Sequence, residues 1–191
     1  AKHSDADLAL LEARLARQRP VAVGEIGLDF YRKDPDRVRQ QALFEAQLVM
    51  ARDAGLPVIL HVRKAHDQVL ATLKRIRVRG GTAHAFNGSL QQAQRYIELG
   101  FKLGFGGMLT YDRSAKLRAL AQTLPAEAIV LETDAPDMVV AQHRGERNSP
   151  EYLPDCLVAL ATVRDEPLAA VAARTTENAR EVFGITDRSA M

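Results

Sequence analysis

Short apolar runs rich in β-branched residues alternate along the chain with longer stretches whose apolar residues recur every three to four positions. The first longer stretch, 5–18, carries Leu8, Leu11 and Leu15 at helical spacing. Asp5 is its candidate cap and Pro20 its stop. The short runs 21–26, 58–60, 82–86, 101–105 and 128–131 read as five strands. Helical patterns lie between them. One covers 37–54 and stops at Gly55 and Pro57; the next passes through Val69, Leu70, Leu73 and Ile76; a third, capped by Ser89, ends at Gly100; a fourth covers 114–124. Helices close the chain, one of them opening at Ser149-Pro150, where serine can cap and proline fits the first turn. Strands alternating with amphipathic helices predict βαβ units and a parallel sheet. Periodicity leaves two parallel architectures open, a doubly wound sheet and a barrel. No Pro/Gly/Ser linker divides the 191 residues, so a single domain is expected.

Composition narrows the setting. Cys156 is the only cysteine, which rules out an intrachain disulfide and fits a reducing compartment. It lies inside a helical pattern and reads as a packed residue. No apolar run approaches the roughly 18 residues of a membrane span, and the opening residues carry no signal-peptide pattern. A cytoplasmic location is therefore expected. A net charge of +2 neither demands nor opposes a nucleic-acid partner.

Four of the five strand runs lead into a residue type that binds metals: Glu25, His61, His84 and Asp134. Each has an ordinary alternative, as a hydrogen-bonded structural histidine, a loop carboxylate or the start of an Asx turn. Their placement at equivalent strand ends favours one shared site, because the C-terminal edge of a parallel sheet gathers residues distant in sequence. Two imidazoles and two carboxylates suit a divalent cation, which could activate water and screen a phosphodiester. Arg63, two residues beyond His61, falls on the same strand face and could meet a phosphate. The basic run Lys74-Arg75-Ile76-Arg77-Val78-Arg79 is a second candidate for a nucleic-acid backbone, or a solvated helix end. Gly104-Phe105-Gly106-Gly107 is a weak phosphate-loop signal, since it lacks the Walker spacing.

The same residues carry a resemblance. Val23-Gly24-Glu25-Ile26-Gly27-Leu28-Asp29 followed by Phe30-Tyr31, Pro57-Val58-Ile59-Leu60-His61-Val62-Arg63, and His84-Ala85-Phe86-Asn87-Gly88-Ser89 resemble signatures of the TatD family of metal-dependent deoxyribonucleases. So do Leu131-Glu132-Thr133-Asp134-Ala135-Pro136, the segment from Arg147 to Pro154, and Glu177-Asn178-Ala179. The motifs occur in the family's order over nearly the whole chain. The resemblance implies a (β/α)₈ TIM barrel of metal-dependent hydrolase type. It implies that Glu25 bridges two divalent metals (Mg²⁺, Mn²⁺ or Zn²⁺), that His61 and His84 hold one of them, and that Asp134 binds the other and orients or deprotonates the attacking water. The implied substrate is single-stranded DNA, and in some members RNA. Arg63 and Arg147 become candidates for contacts to substrate phosphate.

One departure stands out. The family's first strand carries His-x-His, and this sequence has no such pair. The five strands would correspond to strands four to eight, making residues 1–191 a partial barrel that lacks its first strands. His3 is a poor substitute for the missing pair. Two other readings stay open: hydrolysis of a small ester, lactone or amide on the same scaffold, and an inactive incomplete barrel serving as an interaction module. A narrow apolar pocket at the strand ends would favour the small substrate, and an open groove with Arg63 and Arg147 would favour nucleic acid.

Overall fold

A computed structural model describes residues 5–31 and 36–185. Five strands, β1 (Val23–Asp29), β2 (Val58–Arg63), β3 (Gly81–Ala83), β4 (Phe101–Phe105) and β5 (Ile129–Leu131), pair in parallel in the order of the sequence. A doubly wound sheet reverses its strand order part-way. This sheet does not, and a sequential order is the arrangement of a barrel. Seven α-helices accompany it among the described residues: α1 (Asp5–Arg17), α2 (Arg37–Asp53), α3 (His66–Arg75), α4 (Leu90–Glu98), α5 (Ala115–Thr123), α6 (Leu153–Arg164) and α7 (Leu168–Phe183).

Alternation along each strand separates two faces. Ile26, Leu28, Leu60, Val62, Leu103, Phe105 and Ile129 are buried beneath the helices. Phe44, Leu48 and Ala51 of α2, Val69, Leu70 and Leu73 of α3, and Ala93 and Tyr96 of α4 complete that core. Their spacing of three and four is what lays them on one helical stripe. Each fully buried Leu or Phe contributes roughly 1.5–3 kcal/mol, so this side holds the fold together. The polar positions Glu25, Asp29, His61 and Arg63 take the other face. Chain direction is fixed by local devices. Asp36 accepts from the Arg39 N–H at the start of α2, and Ser89 with Gln92 forms a reciprocal capping box on α4.

The strand limits differ from the sequence reading in informative ways. β1 starts at Val23 and runs to Asp29 rather than covering 21–26. Polar residues on the open face do not interrupt the ladder to β2, so Glu25 and His61 stand inside strands and not after them. A bulge between Val23 and Ile26 absorbs one extra residue, which lets both apolar side chains reach the core. β3 stops at Ala83, short of residue 86, because Ala85 turns into the left-handed region at φ 44. The Ser149-Pro150 start opens a short 3₁₀ turn, Pro150–Tyr152, and α6 follows it. His3 and the side chain of Asp5 lie outside the described residues.

Candidate metal centre

Glu25, His61 and His84 converge from β1, β2 and the residue after β3. Their ligand atoms lie within 4.8 Å of one another. Glu25 Oε1 is 2.8 Å from His61 Nδ1 and 2.6 Å from His84 Nε2, so one carboxylate oxygen faces both imidazoles. The two rings sit 5.6 Å apart, centroid to centroid. The register explains the convergence: His61 pairs with Gly27, and the residues two positions either side of Gly27, Glu25 and Asp29, share its face. Asp29 Oδ2 is 3.4 Å from the other nitrogen of His61. One carboxylate and two imidazole donors so disposed fit a single divalent cation. Asp134 stands three residues past β5, with Oδ1 3.8 Å from His84 Nδ1. It is adjacent to the trio without being part of it.

The electrostatics follow from these contacts. Hydrogen bonds from His61 and His84 hold the Glu25 carboxyl well below its usual range. The bond to Glu25 raises the pKa of His61. Burial opposes charge on His84, but its bonds to Glu132 and Glu25 outweigh that and raise it from 6.5 to about 10. Burial pushes Asp134 up, with His84 acting against the rise and Glu132 and Glu25 adding to it. Without metal, the Glu25 carboxylate favours the protonated form of both imidazoles it faces. His84 therefore stabilises the metal-free fold fully below pH 6.5, and that contribution is lost as pH rises toward 10. A cation needs neutral imidazole, so its affinity should rise over the same span. The expected result is a metal-free Tm gap between wild type and His84→Asn that narrows from pH 6.5 to 10, while the Tm gain from added Mn²⁺ widens. A gap that stays constant over this range would refute the grip on His84.

Glu132 belongs to the site although sequence reasoning did not select it. Its Oε1 accepts from the Ala85 N–H at 2.6 Å and lies 3.5 Å from His84 Nδ1. It thereby fixes both the ring and the turn that carries it. Gly104 makes room for it, since a Cβ there would stand 2.8 Å from the Glu132 carboxyl carbon. A signal was present in the sequence: Glu132 precedes Asp134 by two, as Arg63 follows His61 by two. We expect Glu132→Gln to weaken metal binding roughly 10–100-fold, measured by titration calorimetry. Unchanged affinity would exclude the orienting role. Asn148, buried, secures the Asp134 loop by donating from Nδ2 to the carbonyls of Thr133 and Asp137, both at 2.5 Å.

The other candidates separate. Arg63 lies on the His61 face at the C-terminal end of β2, its guanidinium 3.7 Å from the centre of the Tyr31 ring. Arg147 is on an exposed part of the loop after β5, next to Asn148. The basic run 74–79 ends α3 and leads into the N-terminal end of β3, opposite the cluster; Arg75 pairs there with Glu45 at 2.5 Å. Gly104 and Gly107 are crowded by Glu132 and by Met138–Val140 backbone, so that segment serves packing. Cys156 is fully buried, and burial raises its thiol to about 11.

A sequentially ordered parallel sheet with imidazole and carboxylate donors at its C-terminal edge is the framework of a metal-dependent hydrolase. Residues 1–184 match the family model described as TatD related DNase, and the chain belongs to that family. The uncharacterized metal-dependent hydrolase YjjV of Escherichia coli (strain K12) is 43% identical over 187 residues, which span 96% of this chain and 72% of that relative. The 3'-5' ssDNA/RNA exonuclease TatD of Klebsiella pneumoniae (strain 342) is 40% identical over 179 residues, 90% of this chain and 68% of that one. The crystal structure of YjjV, a TatD homolog from Escherichia coli, superposes with a TM-score of 0.93 at 43% identity, covering 97% of this chain and 73% of its own.

Proposed function

We propose that the protein hydrolyses phosphodiester bonds of single-stranded nucleic acid, DNA above all, with divalent metal. The observation that carries this reading is the convergence of Glu25, His61 and His84 on one point beside Asp134, with Arg63 at the rim on the same strand face. The similarity to a protein named as an ssDNA/RNA exonuclease supports it. The exposed, cationic rim of Arg63 and Lys64 favours a polyanion over a small neutral ester.

Glu25, His61 and His84 would hold the cation. A bound cation supplies Lewis acidity toward water and toward a phosphate oxygen. Asp134 takes the proton of the attacking water. The water oxygen forms a bond to phosphorus, the P–O bond to the leaving sugar oxygen breaks, that oxygen takes up a proton equivalent to the one Asp134 received, and the products are an alcohol and a phosphate monoester. Burial raises the Asp134 carboxyl toward the working pH, which suits a general base. Glu132 orients His84, and Arg63 and Arg147 meet substrate phosphates. A second cation, as the family resemblance implies, would draw on Glu25 and Asp134. The same reading takes the chain as one domain equivalent to strands four to eight of the barrel.

The test is the shortening of labelled single-stranded DNA in Mg²⁺ or Mn²⁺. Asp134→Ala should lower the rate by about 10²–10³, while the trio keeps its cation. Normal turnover in that variant would remove Asp134 from the mechanism. Absence of metal-dependent cleavage in the wild type would remove the nuclease reading.

A further inference from the structure

Just beyond the cluster, an aromatic ring stands among cations. Phe30 packs against the core, while Tyr31, next in the chain, is 55% exposed. The Arg63 guanidinium lies 3.7 Å from the Tyr31 ring centre and the Lys64 ammonium 4.8 Å from it. Lys64 adopts φ 54, in the left-handed region, as β2 ends. The group is coupled to the metal centre through a single carboxylate. Asp29 Oδ1 accepts from the Tyr31 N–H at 2.9 Å, while Asp29 Oδ2 is 3.4 Å from His61 Nε2. Asp29 and Arg63 are also register partners across β1 and β2. Arg63 is two residues beyond His61, roughly 6–7 Å along the strand. The ring therefore stands beside the cluster, at the end of β2 that Arg63 occupies.

A tyrosine 55% exposed, with a guanidinium 3.7 Å from its ring centre, buries little apolar area and orders two long side chains. What such a pair offers is an aromatic ring beside positive charge. Nucleobases stack on tyrosine rings and on guanidinium planes, and neighbouring ammonium groups meet the adjoining phosphate. A base inside a duplex has both faces covered, so an interior base can use the surface only once it is unpaired.

Building on the nuclease reading, we propose that Tyr31, Arg63 and Lys64 form a nucleobase-stacking subsite for the nucleotide next to the scissile phosphate, which selects unpaired strand ends. The subsite recognises an aromatic base joined to a phosphate and is indifferent to base identity.

The experiment measures binding with metal removed by EDTA, so that hydrolysis plays no part. The probes are a fluorescently labelled oligothymidylate and an abasic oligomer of equal length and charge. Tyr31→Leu should weaken oligothymidylate binding about tenfold and leave abasic binding unchanged. Arg63→Ala should weaken both. Since the chain has no tryptophan, Tyr31→Trp introduces a single indole. Its emission should be quenched by oligothymidylate and not by the abasic oligomer. Equal losses for both probes in Tyr31→Leu, or equal quenching by both, would overturn the stacking role while leaving the nuclease reading intact. Failure of the wild type to bind oligothymidylate more tightly than the abasic oligomer would overturn the subsite, while the metal-dependent cleavage assay decides the nuclease reading separately.

Discussion

Exchanging Glu25 for glutamine is expected to cut metal-dependent hydrolysis by at least about a thousandfold, the scale on which a positioned catalytic group matters. The change is nearly isosteric, so shape is kept and chemistry is isolated. One oxygen of Glu25 now faces His61 and His84 together. An amide oxygen can still accept from both through its two lone pairs, but it carries no charge, and the NH₂ that replaces the second carboxylate oxygen only donates and cannot ligate a cation. The anionic donor is also lost, and with it much of the attraction for a divalent ion. The fold should survive, because Glu25 lies on the open face and contributes nothing to the helix-side core. Calorimetric titration with Mn²⁺ and the single-strand cleavage assay check this together. Wild-type stoichiometry with wild-type turnover in Glu25→Gln would dismantle the proposed centre.

The second large effect concerns stability. Gly27→Ala should destabilise the protein by about 3 kcal/mol or more, among the severe values for a single substitution. Gly27 sits at φ 152, and a Cβ there would fall on the His61 carbonyl oxygen and 2.8 Å from its carbon. Both atoms belong to the β1–β2 backbone, so neither can rotate away as a side chain could. To relieve the overlap β1 must move off β2, and that shift would separate Glu25 from His61. Gly55→Ala supplies the comparison. Its φ is +66, but a Cβ there meets nothing within 4 Å, so it reports left-handed backbone strain alone. That strain costs about 1–2 kcal/mol. Thermal melts of both variants separate the two contributions. Equal losses would mean that the strands slide apart without resistance.

Much of this arrangement could be read before any coordinates. The five strands and their helices are legible because buried parallel strands are short apolar runs and their helices are amphipathic. The four proposed residues were found because strand ends draw attention. The limits of the strands were less visible. Glu25 and His61 look like the residues that end β1 and β2, yet the ladder continues through them, since polarity on one face leaves backbone pairing untouched. Glu132 and Asp29 stood inside recognisable motifs and were passed over. Their roles depend on which carboxylate reaches which ring nitrogen, a matter of register and of the space left by Gly104. The choice between sheet and barrel came from the motif resemblance and agrees with the pairing order, neither of which periodicity contains. The stack of Arg63 on Tyr31 joins residues 32 positions apart and follows only from the β1–β2 alignment.

Glu25 stands in the bulge of β1 and His61 opposite Gly27 in β2, so the span between these two donors is set by the pairing of the two strands. It owes nothing to the lengths of the connections that follow β1 and β2. Those connections can be lengthened, shortened or exchanged while the donors stay in place. A lineage, or an engineer, can therefore redirect such an enzyme to a new substrate by grafting segments at the rim, with the cation-holding geometry carried along unaltered.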